Sequence, residues 1–343
     1  MLDLVKYPDV NGDTDAIASE IKIDVETTKI AAVVGSTASG KTALSVELAK
    51  RFGGEIISCD SMQIYEKMDI GTAKPTESEK CGILHHMIDI VAPDATFSCA
   101  DYASAAKAKI CEIGSRGNLP IFCGGTGLYL EGVLRSGGFE ESETDLDYRK
   151  SLYEFAEREG KEALHALLRE IDADSADAIH PNNVKRVIRA MEIYHSTGIT
   201  KTELDRRSRL SPSQYDACVI GLRYNDRELL YGRIERRVDE MIGQGLVDEV
   251  RELYLDGVFD RSATACQAIG YKELLGYIKG DMELCEAVAN IKLATRRYAK
   301  RQITWFGNHF GVKWVDADRD GKMREFSDIV SDASGLLEAH LSK

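Results

Sequence analysis

The segment Gly35–Thr42, with the sequence GSTASGKT, constrains the fold of this 343-residue chain more than any other. It matches G-x-x-x-x-G-K-[ST] at every defined position, a pattern whose backbone N–H groups surround a phosphate. The preceding run Lys29–Val34 is rich in strand-forming residues, and Thr42–Arg51 has the apolar spacing of a helix. A strand, this loop and a helix in succession predict a phosphate site in a parallel α/β sheet.

Every residue of this phosphate loop is a candidate contact for a diphosphate. The candidates are Gly35, Ser36, Thr37, Ala38, Ser39, Gly40, Lys41 and Thr42. We expect the Lys41 ammonium to contact the outer phosphate and the Thr42 hydroxyl to ligate Mg²⁺, the predicted cofactor. The motif alone does not distinguish ATP from another diphosphate.

Two further loops are predicted at the same edge of the sheet. The runs Glu55–Ser58 and Leu119–Cys123 favour strands, and Asp60 and Gly124–Gly127 follow them directly. Asp60 there could act as a general base, support a magnesium ion through water, or cap a helix. The glycine-rich loop suits either a close backbone approach to a ligand or a simple tight turn.

The helical periodicity divides the chain into four segments. Residues 1–28 form an acidic extension without apolar periodicity, which we predict to be flexible. Residues 29–134 and 211–325 form the α/β core with C-terminal helices, including one long helix from Asp226 to about Leu255. Residues 135–210 form a helical insertion, and residues 326–343 form a C-terminal helix.

The net charge of −13 at first argues against a nucleic-acid partner. Residues 1–28 and the stretch 139–147 carry −10 of it, and the rest is nearly balanced. Positive charge gathers on two predicted helices: residues 182–209 hold seven Lys or Arg against three acids, and residues 287–301 hold five against none. Such stripes are typical either of a solvated helix face or of contacts with a phosphate backbone.

The remaining composition indicates a cytoplasmic location and no membrane partner. No apolar run reaches the ~18 residues of a membrane span, and the N-terminus lacks the pattern of a secretory signal. The eight cysteines form no C-x-x-C pair, so a zinc site is not expected. We interpret most of them as reduced thiols in the core.

The chain resembles the bacterial tRNA dimethylallyltransferases, also called isopentenyl-diphosphate:tRNA transferases, over about residues 29 to 315. The matching blocks, in family order, are GSTASGKT at 35–42, SCDSMQIY at 58–65, MDIGTAKP at 68–75, GGTGLY at 124–129, HPNNVKRVIRAMEIY at 180–194, RELLYGRI at 227–234, QAIGYKEL at 267–274 and RRYAKRQITWF at 296–306. The resemblance implies a P-loop NTPase-like core with a helical tRNA-binding insertion.

The resemblance also implies a reaction and its residues. A dimethylallyl group would pass from dimethylallyl diphosphate to N6 of the adenosine on the 3′ side of the anticodon, in the anticodon stem-loop of tRNA, with release of pyrophosphate. The implied catalytic residues are Asp60, Arg227, Thr37 and Thr126. The implied tRNA contacts are Asp60, Ser61, Met62, Gln63, Thr126, Arg149, Lys185, Arg186, Val187, Ile188, Arg189, Cys266, Gln267, Ala268, Ile269, Gly270 and Tyr271.

Some features depart from this family, and other functions stay open. Residues 1–28 are additional, and the acid-rich stretch Glu140–Asp147 stands where family members often have prolines, which weakens the alignment of Arg149. Judged from its residues alone, Arg227 could clamp a phosphate oxygen, but an exposed arginine at a helix start is the favoured interpretation. The alternatives are a small-molecule P-loop kinase, an adenylate isopentenyltransferase or a non-catalytic P-loop protein. We expect a monomer.

Overall fold

The computed structural model describes residues 27–135, 145–210, 213–262 and 264–343. Nearly all of the acidic extension therefore lies outside the described residues, as do residues 136–144, which include Glu140, Glu141 and Glu143 of the acid-rich stretch. The described chain divides into two compact units. One comprises Arg135 and residues 145–210, and the other comprises residues 27–134 with the described residues from Ser213 to Lys343. Each unit is described by itself.

The larger unit is built on a sheet of six parallel strands. The strands are β1 Thr28–Gly35, β2 Gly54–Cys59, β3 His85–His86, β4 Leu119–Gly124, β5 Tyr215–Arg223 and β6 Lys313–Asp316. Their order is β3-β2-β4-β1-β5-β6, and every neighbouring pair is parallel. A separate antiparallel pair consists of β7 Asp318–Arg319 and β8 Lys322–Met323. The predicted P-loop NTPase-like core is confirmed.

Helices of the larger unit flank this sheet, and a separate set of helices forms the smaller unit. In chain order they are α1 Lys41–Phe52, α2 Glu77–Lys80, α3 Cys99–Ser115, α4 Gly127–Leu134, α5 Leu146–Glu159, α6 Lys161–Ile171, α7 Ala173–Ala178, α8 Val184–Thr197, α9 Lys201–Leu210, α10 Arg227–Gly243, α11 Leu246–Leu255, α12 Val258–Arg261, α13 Tyr271–Ile278, α14 Leu284–Gly307 and α15 Phe326–Leu341. A short 3-10 helix spans Ala265–Gln267. Helices α5–α9 belong to the smaller unit.

The central strands are continuous apolar runs because their side chains are buried on both faces of the sheet. Ile30, Ala32 and Val34 of β1 face one apolar cluster, and Ala31 and Val33 face another on the opposite side of the sheet. Both faces are covered by helices, so alternation with polar residues is not required. A third cluster joins the segment around Tyr65 to helices α10, α11, α13 and α14.

Two expectations differ from the structure. The predicted helix from Asp226 to Leu255 is two helices, because Gly245 adopts the left-handed conformation (φ 102°) that ends α10 and begins α11. Only three of the eight cysteines are buried, at 59, 123 and 218; those at 81, 111 and 285 are exposed. All eight are free thiols. No helix in the described ranges is both long and apolar enough to cross a membrane.

Candidate active site

The phosphate loop connects β1 to α1 at the carboxyl edge of the sheet. Gly40 precedes α1 in the left-handed conformation (φ 97°), and the Ser39 N–H closes a turn onto the Ser36 carbonyl at 3.3 Å. Lys41 Nζ donates to the same carbonyl at 3.2 Å. Burial lowers the pKa of Lys41, because the charged ammonium is largely removed from water. A buried ammonium at a helix N-terminus favours an anionic ligand.

Side chains from distant helices hold this loop in place. Gln302 on α14 accepts from the Thr37 N–H at 2.8 Å and donates to the Gly125 carbonyl at 3.0 Å, so it links the phosphate loop to the glycine-rich loop. Arg233 on α10 donates to the Ala38 carbonyl at 2.8 Å. The sequence reasoning assigned no role to Gln302 or Arg233.

Asp60 and Thr126 lie on adjacent loops, after β2 and β4 respectively. The Asp60 carboxylate accepts from the Met62 N–H at 2.9 Å, and the Thr126 hydroxyl accepts from the Ser61 N–H at 3.0 Å. The Thr126 N–H in turn donates to the Cys59 carbonyl at 3.0 Å. The structure therefore brings the two predicted residues together, and Asp60 also caps the turn that follows it.

Of the two interpretations of the glycine-rich loop, a close backbone approach and a simple tight turn, the structure shows a close approach. A Cβ on Gly125 would lie 2.0 Å from Gln302 Nε2, and one on Gly127 would lie 2.0 Å from the Trp305 ring. Glycine at these positions lets α14 pack directly on the loop. The close approach is to a helix of the protein.

Tyr298 and Arg237 complete the polar surroundings of Asp60. Tyr298 lies near Thr126 and Gln302, and burial together with the nearby Asp60 charge raises its pKa to about 12. Burial lowers the pKa of Arg237, and the charge of Asp60 acts in the opposite direction. No hydrogen bond or ion pair is made by the Arg237 side chain within the described chain. Its positive charge is therefore free to meet an anion.

Two cavities meet at these residues. The larger, of about 270 Å³, is lined by Asp60, by the segment 267–272 and by apolar side chains of α10 and α14. The smaller, of about 70 Å³, is lined by Lys41, Thr42 and other polar groups. The residues common to both are Thr37, Asp60, Thr72, Arg237 and Tyr298. The pair of cavities thus has a phosphate end and a wider end, with Asp60 between them.

The smaller cavity suits a hydrated magnesium ion. Thr42 and Asp60 both line it, and Mg²⁺ commonly binds through one or two protein oxygens together with waters and substrate phosphates. His85, also in its lining, has a buried Nε2 without a hydrogen-bond partner in the described structure. No group of three His, Cys, Asp or Glu residues within the described ranges could hold a metal alone. The ion would therefore depend on the diphosphate.

Arg227 is placed differently from the prediction. It is the first residue of α10, is exposed, and lines neither cavity. Arg233 and Arg237 lie further along the same helix, and their side chains reach the phosphate loop and both cavities respectively. The structure therefore does not place Arg227 at either cavity, and the cations that α10 presents to the phosphate loop and the cavities are Arg233 and Arg237.

The predicted tRNA contacts of the larger unit fall partly on the cavity wall. Gln267, Ala268, Ile269, Gly270 and Tyr271 line the larger cavity beside Asp60, Ser61 and Met62. Gln63 lines the smaller cavity, where its amide donates to the Thr72 and Ala73 carbonyls. Cys266 is outside both cavities and its thiol donates to the Phe259 carbonyl.

The predicted tRNA contacts of the smaller unit divide into exposed and structural side chains. Lys185 and Arg186 on α8 are exposed. Val187 and Ile188 are buried in the core of this unit, so a tRNA contact through their side chains is wrong. Arg149 pairs with the buried Glu192, which also lies 3.7 Å from Arg189. The Arg149 guanidinium is therefore engaged in an ion pair within the unit, and its contact with tRNA stays a prediction.

The basic stripe of α14 is partly neutralised. Lys292 pairs with Asp239 of α10 at 2.6 Å, and Arg296 pairs with Glu235 of the same helix. Arg297, Lys300 and Arg301 are exposed, and Arg301 also lines the larger cavity. The charge available to a polyanion therefore lies toward the C-terminal half of the stripe.

Comparison with known proteins identifies the family. A family model described as IPP transferase matches residues 63–309. A tRNA dimethylallyltransferase of Halalkalibacterium halodurans is 48% identical over 90% of this chain and 98% of its own length. One from Caldanaerobacter subterraneus is 48% identical over 84% of this chain and 92% of its own.

The chain belongs to the IPP transferase family.

Solved structures agree with this membership. The tRNA isopentenylpyrophosphate transferase of Bacillus halodurans is 45% identical, covers 92% of this chain and 97% of its own, and superposes with a TM-score of 0.68. A eukaryotic dimethylallyltransferase acting on tRNA is 30% identical, covers 84% of this chain and 74% of its own, and gives a TM-score of 0.71. The IPP transferase match over residues 63–309 spans the helical insertion 135–210 and the block 296–306, which a small-molecule kinase would leave unexplained.

Proposed function

We propose that this chain transfers a dimethylallyl group from dimethylallyl diphosphate to N6 of the adenosine on the 3′ side of the anticodon in tRNA, releasing pyrophosphate. The observation that carries the proposal is the position of Asp60, a potential base, in the lining of both the phosphate cavity and the wider cavity. The printed names of the relatives support the same substrate classes.

The donor would bind at the phosphate end. Backbone N–H groups of the loop Gly35–Thr42 and the buried Lys41 ammonium suit the diphosphate. Thr42 would hold Mg²⁺ against it, and the ion would add positive charge to the leaving group. Apolar side chains of the larger cavity, Ile234, Val238 and Ile291 among them, suit the dimethylallyl chain next to its C1 carbon.

The acceptor adenine would reach Asp60 from the wider cavity, because a stacked base cannot present its amine to an enclosed donor. N6 attacks C1 while the bond from C1 to the diphosphate oxygen breaks, and the electron pair leaves with pyrophosphate. Asp60 accepts the proton that the amine releases. The positive charges of Arg233 and Arg237 would stabilise the developing negative charge.

Incubation of the pure protein with unmodified tRNA, Mg²⁺ and labelled dimethylallyl diphosphate tests the proposal. Mass spectrometry of the tRNA nucleosides should show N6-dimethylallyladenosine. Consumption of ATP with a small acceptor, and no label in tRNA, would favour the kinase alternative. Prenylation of free adenylate alone would favour the adenylate isopentenyltransferase. The cytoplasmic location and the monomeric state stay predictions.

A further inference from the structure

Glu249 on α11 connects two segments of chain that are far apart in sequence. Its carboxylate accepts from three consecutive backbone N–H groups, those of Asp69, Ile70 and Gly71, at 2.9, 2.7 and 3.1 Å. It also accepts from the Tyr271 hydroxyl at 2.6 Å. A carboxylate in a concave set of backbone donors forms charge-assisted hydrogen bonds, which are among the stronger ones in proteins.

Both connected segments form the wall of the larger cavity. Gly71 and Thr72 line it from one segment, and residues 267–272 line it from the other. The ring of the fully buried Tyr271 packs on Gly71, where an added Cβ would lie 2.4 Å from ring carbon Cε2. Glu249 does not line this cavity, so its carboxylate contacts the wall on the side that faces away from the cavity.

The same loop is attached to the Asp60 loop on its other side. Gln63 donates to the Thr72 and Ala73 carbonyls at 3.2 and 3.1 Å, and its carbonyl oxygen accepts from Ser58 at the end of β2. The position of the wall relative to Asp60 is therefore fixed by hydrogen bonds at two points. Gln63 sets one of them and Glu249 sets the other.

We propose that Glu249 is a positioning residue for the acceptor. It holds the wall formed by residues 71–72 and 267–272 at the distance from Asp60 that aligns the adenine amine with the donor carbon. This inference rests on the proposed function, because it assumes an adenine in the wider cavity. A displacement of about 1 Å in such a wall can cost on the order of 10²-fold in rate.

Glu249→Gln is the sharpest variant, because it keeps the size of the side chain. A carboxamide has one acceptor oxygen, and its NH₂ group would face N–H donors that it cannot satisfy. Glu252→Gln is the matched control: Glu252 is exposed on the same helix, and its side chain forms no hydrogen bond or ion pair in the described structure. Tyr271→Phe removes only one of the four hydrogen bonds and retains the ring.

The measurements are the melting temperature, the Kd for dimethylallyl diphosphate with Mg²⁺, and single-turnover prenylation over a range of tRNA concentrations. We expect Glu249→Gln to lower kcat/KM for tRNA by about tenfold or more, with an unchanged Kd for the donor. Tyr271→Phe should cause a smaller fall. The double variant should lose less than the product of the two, since both changes alter the same contact between Glu249 and Tyr271.

Three results would overturn the inference. One is a wild-type kcat/KM in Glu249→Gln, and another is an equal weakening of donor and tRNA binding with a lowered melting temperature, which indicates a general structural role. If Glu249→Gln does not fold, a wild-type kcat/KM in Tyr271→Phe is the third. A wild-type protein that transfers nothing to tRNA refutes the proposed function itself.

Discussion

Replacement of Asp60 by asparagine or alanine separates the chemical role of this residue from its structural one. Among the residues that the structure describes, the Asp60 carboxylate accepts one hydrogen bond, from the Met62 N–H at 2.9 Å. Asparagine retains an oxygen acceptor in that place but cannot accept a proton from the adenosine amine. Alanine loses both properties. The two variants therefore share the chemical defect and differ in the hydrogen bond that caps the turn.

The magnitudes distinguish these contributions. Positioned proton transfer contributes typically ~10²–10⁴ in rate, which is about 2.7–5.5 kcal/mol of activation free energy. One hydrogen bond to a charged group contributes about 1.5–3 kcal/mol to stability. We expect Asp60→Asn to fold with nearly the wild-type melting temperature and to lose about two or more decades of rate. Asp60→Ala should show a similar loss of rate together with a lower melting temperature.

The assay is single-turnover transfer of labelled dimethylallyl to tRNA at saturating concentrations of enzyme and donor, with tRNA binding measured separately. Both variants should still bind tRNA. A transfer rate of Asp60→Asn within threefold of wild type would refute the general-base role. Asp60 would then serve only to cap the turn through the Met62 N–H. Recovery of the Asp60→Asn rate at high Mg²⁺ concentration would instead indicate that Asp60 supports the magnesium ion through water.

Other predictions concern groups outside the chemical step. Gln302→Ala should raise the KM for dimethylallyl diphosphate by about tenfold, because the Thr37 N–H loses its partner, and steady-state kinetics would measure this. Neutralising the exposed Lys185 and Arg186 should weaken tRNA binding and reduce the slope of log K against log salt by up to about 2. An unchanged slope would indicate that these two side chains contact only solvent. A hydrogen bond from Arg116 holds the pKa of the buried Glu55 at about 2, below its usual 4.5. The ionised Glu55 carboxylate therefore stabilises the fold above pH 4.5, and this contribution is lost as the pH falls toward 2. Glu55→Gln should lower the free energy of unfolding in urea by about 2 kcal/mol at pH 7 and by much less near pH 2.

The sequence predicted the parts of the site that short segments encode. The strand, loop and helix around Lys41 follow from local periodicity and from glycine at defined positions. Asp60 and Thr126 could be placed together because both follow strands that end at the same edge of a parallel sheet.

The predicted site residues that the structure places away from the cavities or in a core depended on orientation around a helix. Arg227, Arg233 and Arg237 all lie on α10, and the sequence motif drew attention to the first of them. The helix turns by about 100° per residue, so only the packing of α10 against the sheet decides which arginine reaches the phosphate loop. Val187 and Ile188 likewise stand in a basic motif and yet form the core of their unit.

The sequence by itself determined the fold class, the phosphate loop and the presence of a carboxylate beside it, because each is encoded within a few consecutive residues. The tertiary structure alone decided which distant side chains complete the site. Gln302 meets Thr37 across 265 residues of chain, and Glu249 meets Gly71 across 178. Such contacts follow from how helices pack on the sheet, and no short pattern in the sequence encodes that packing.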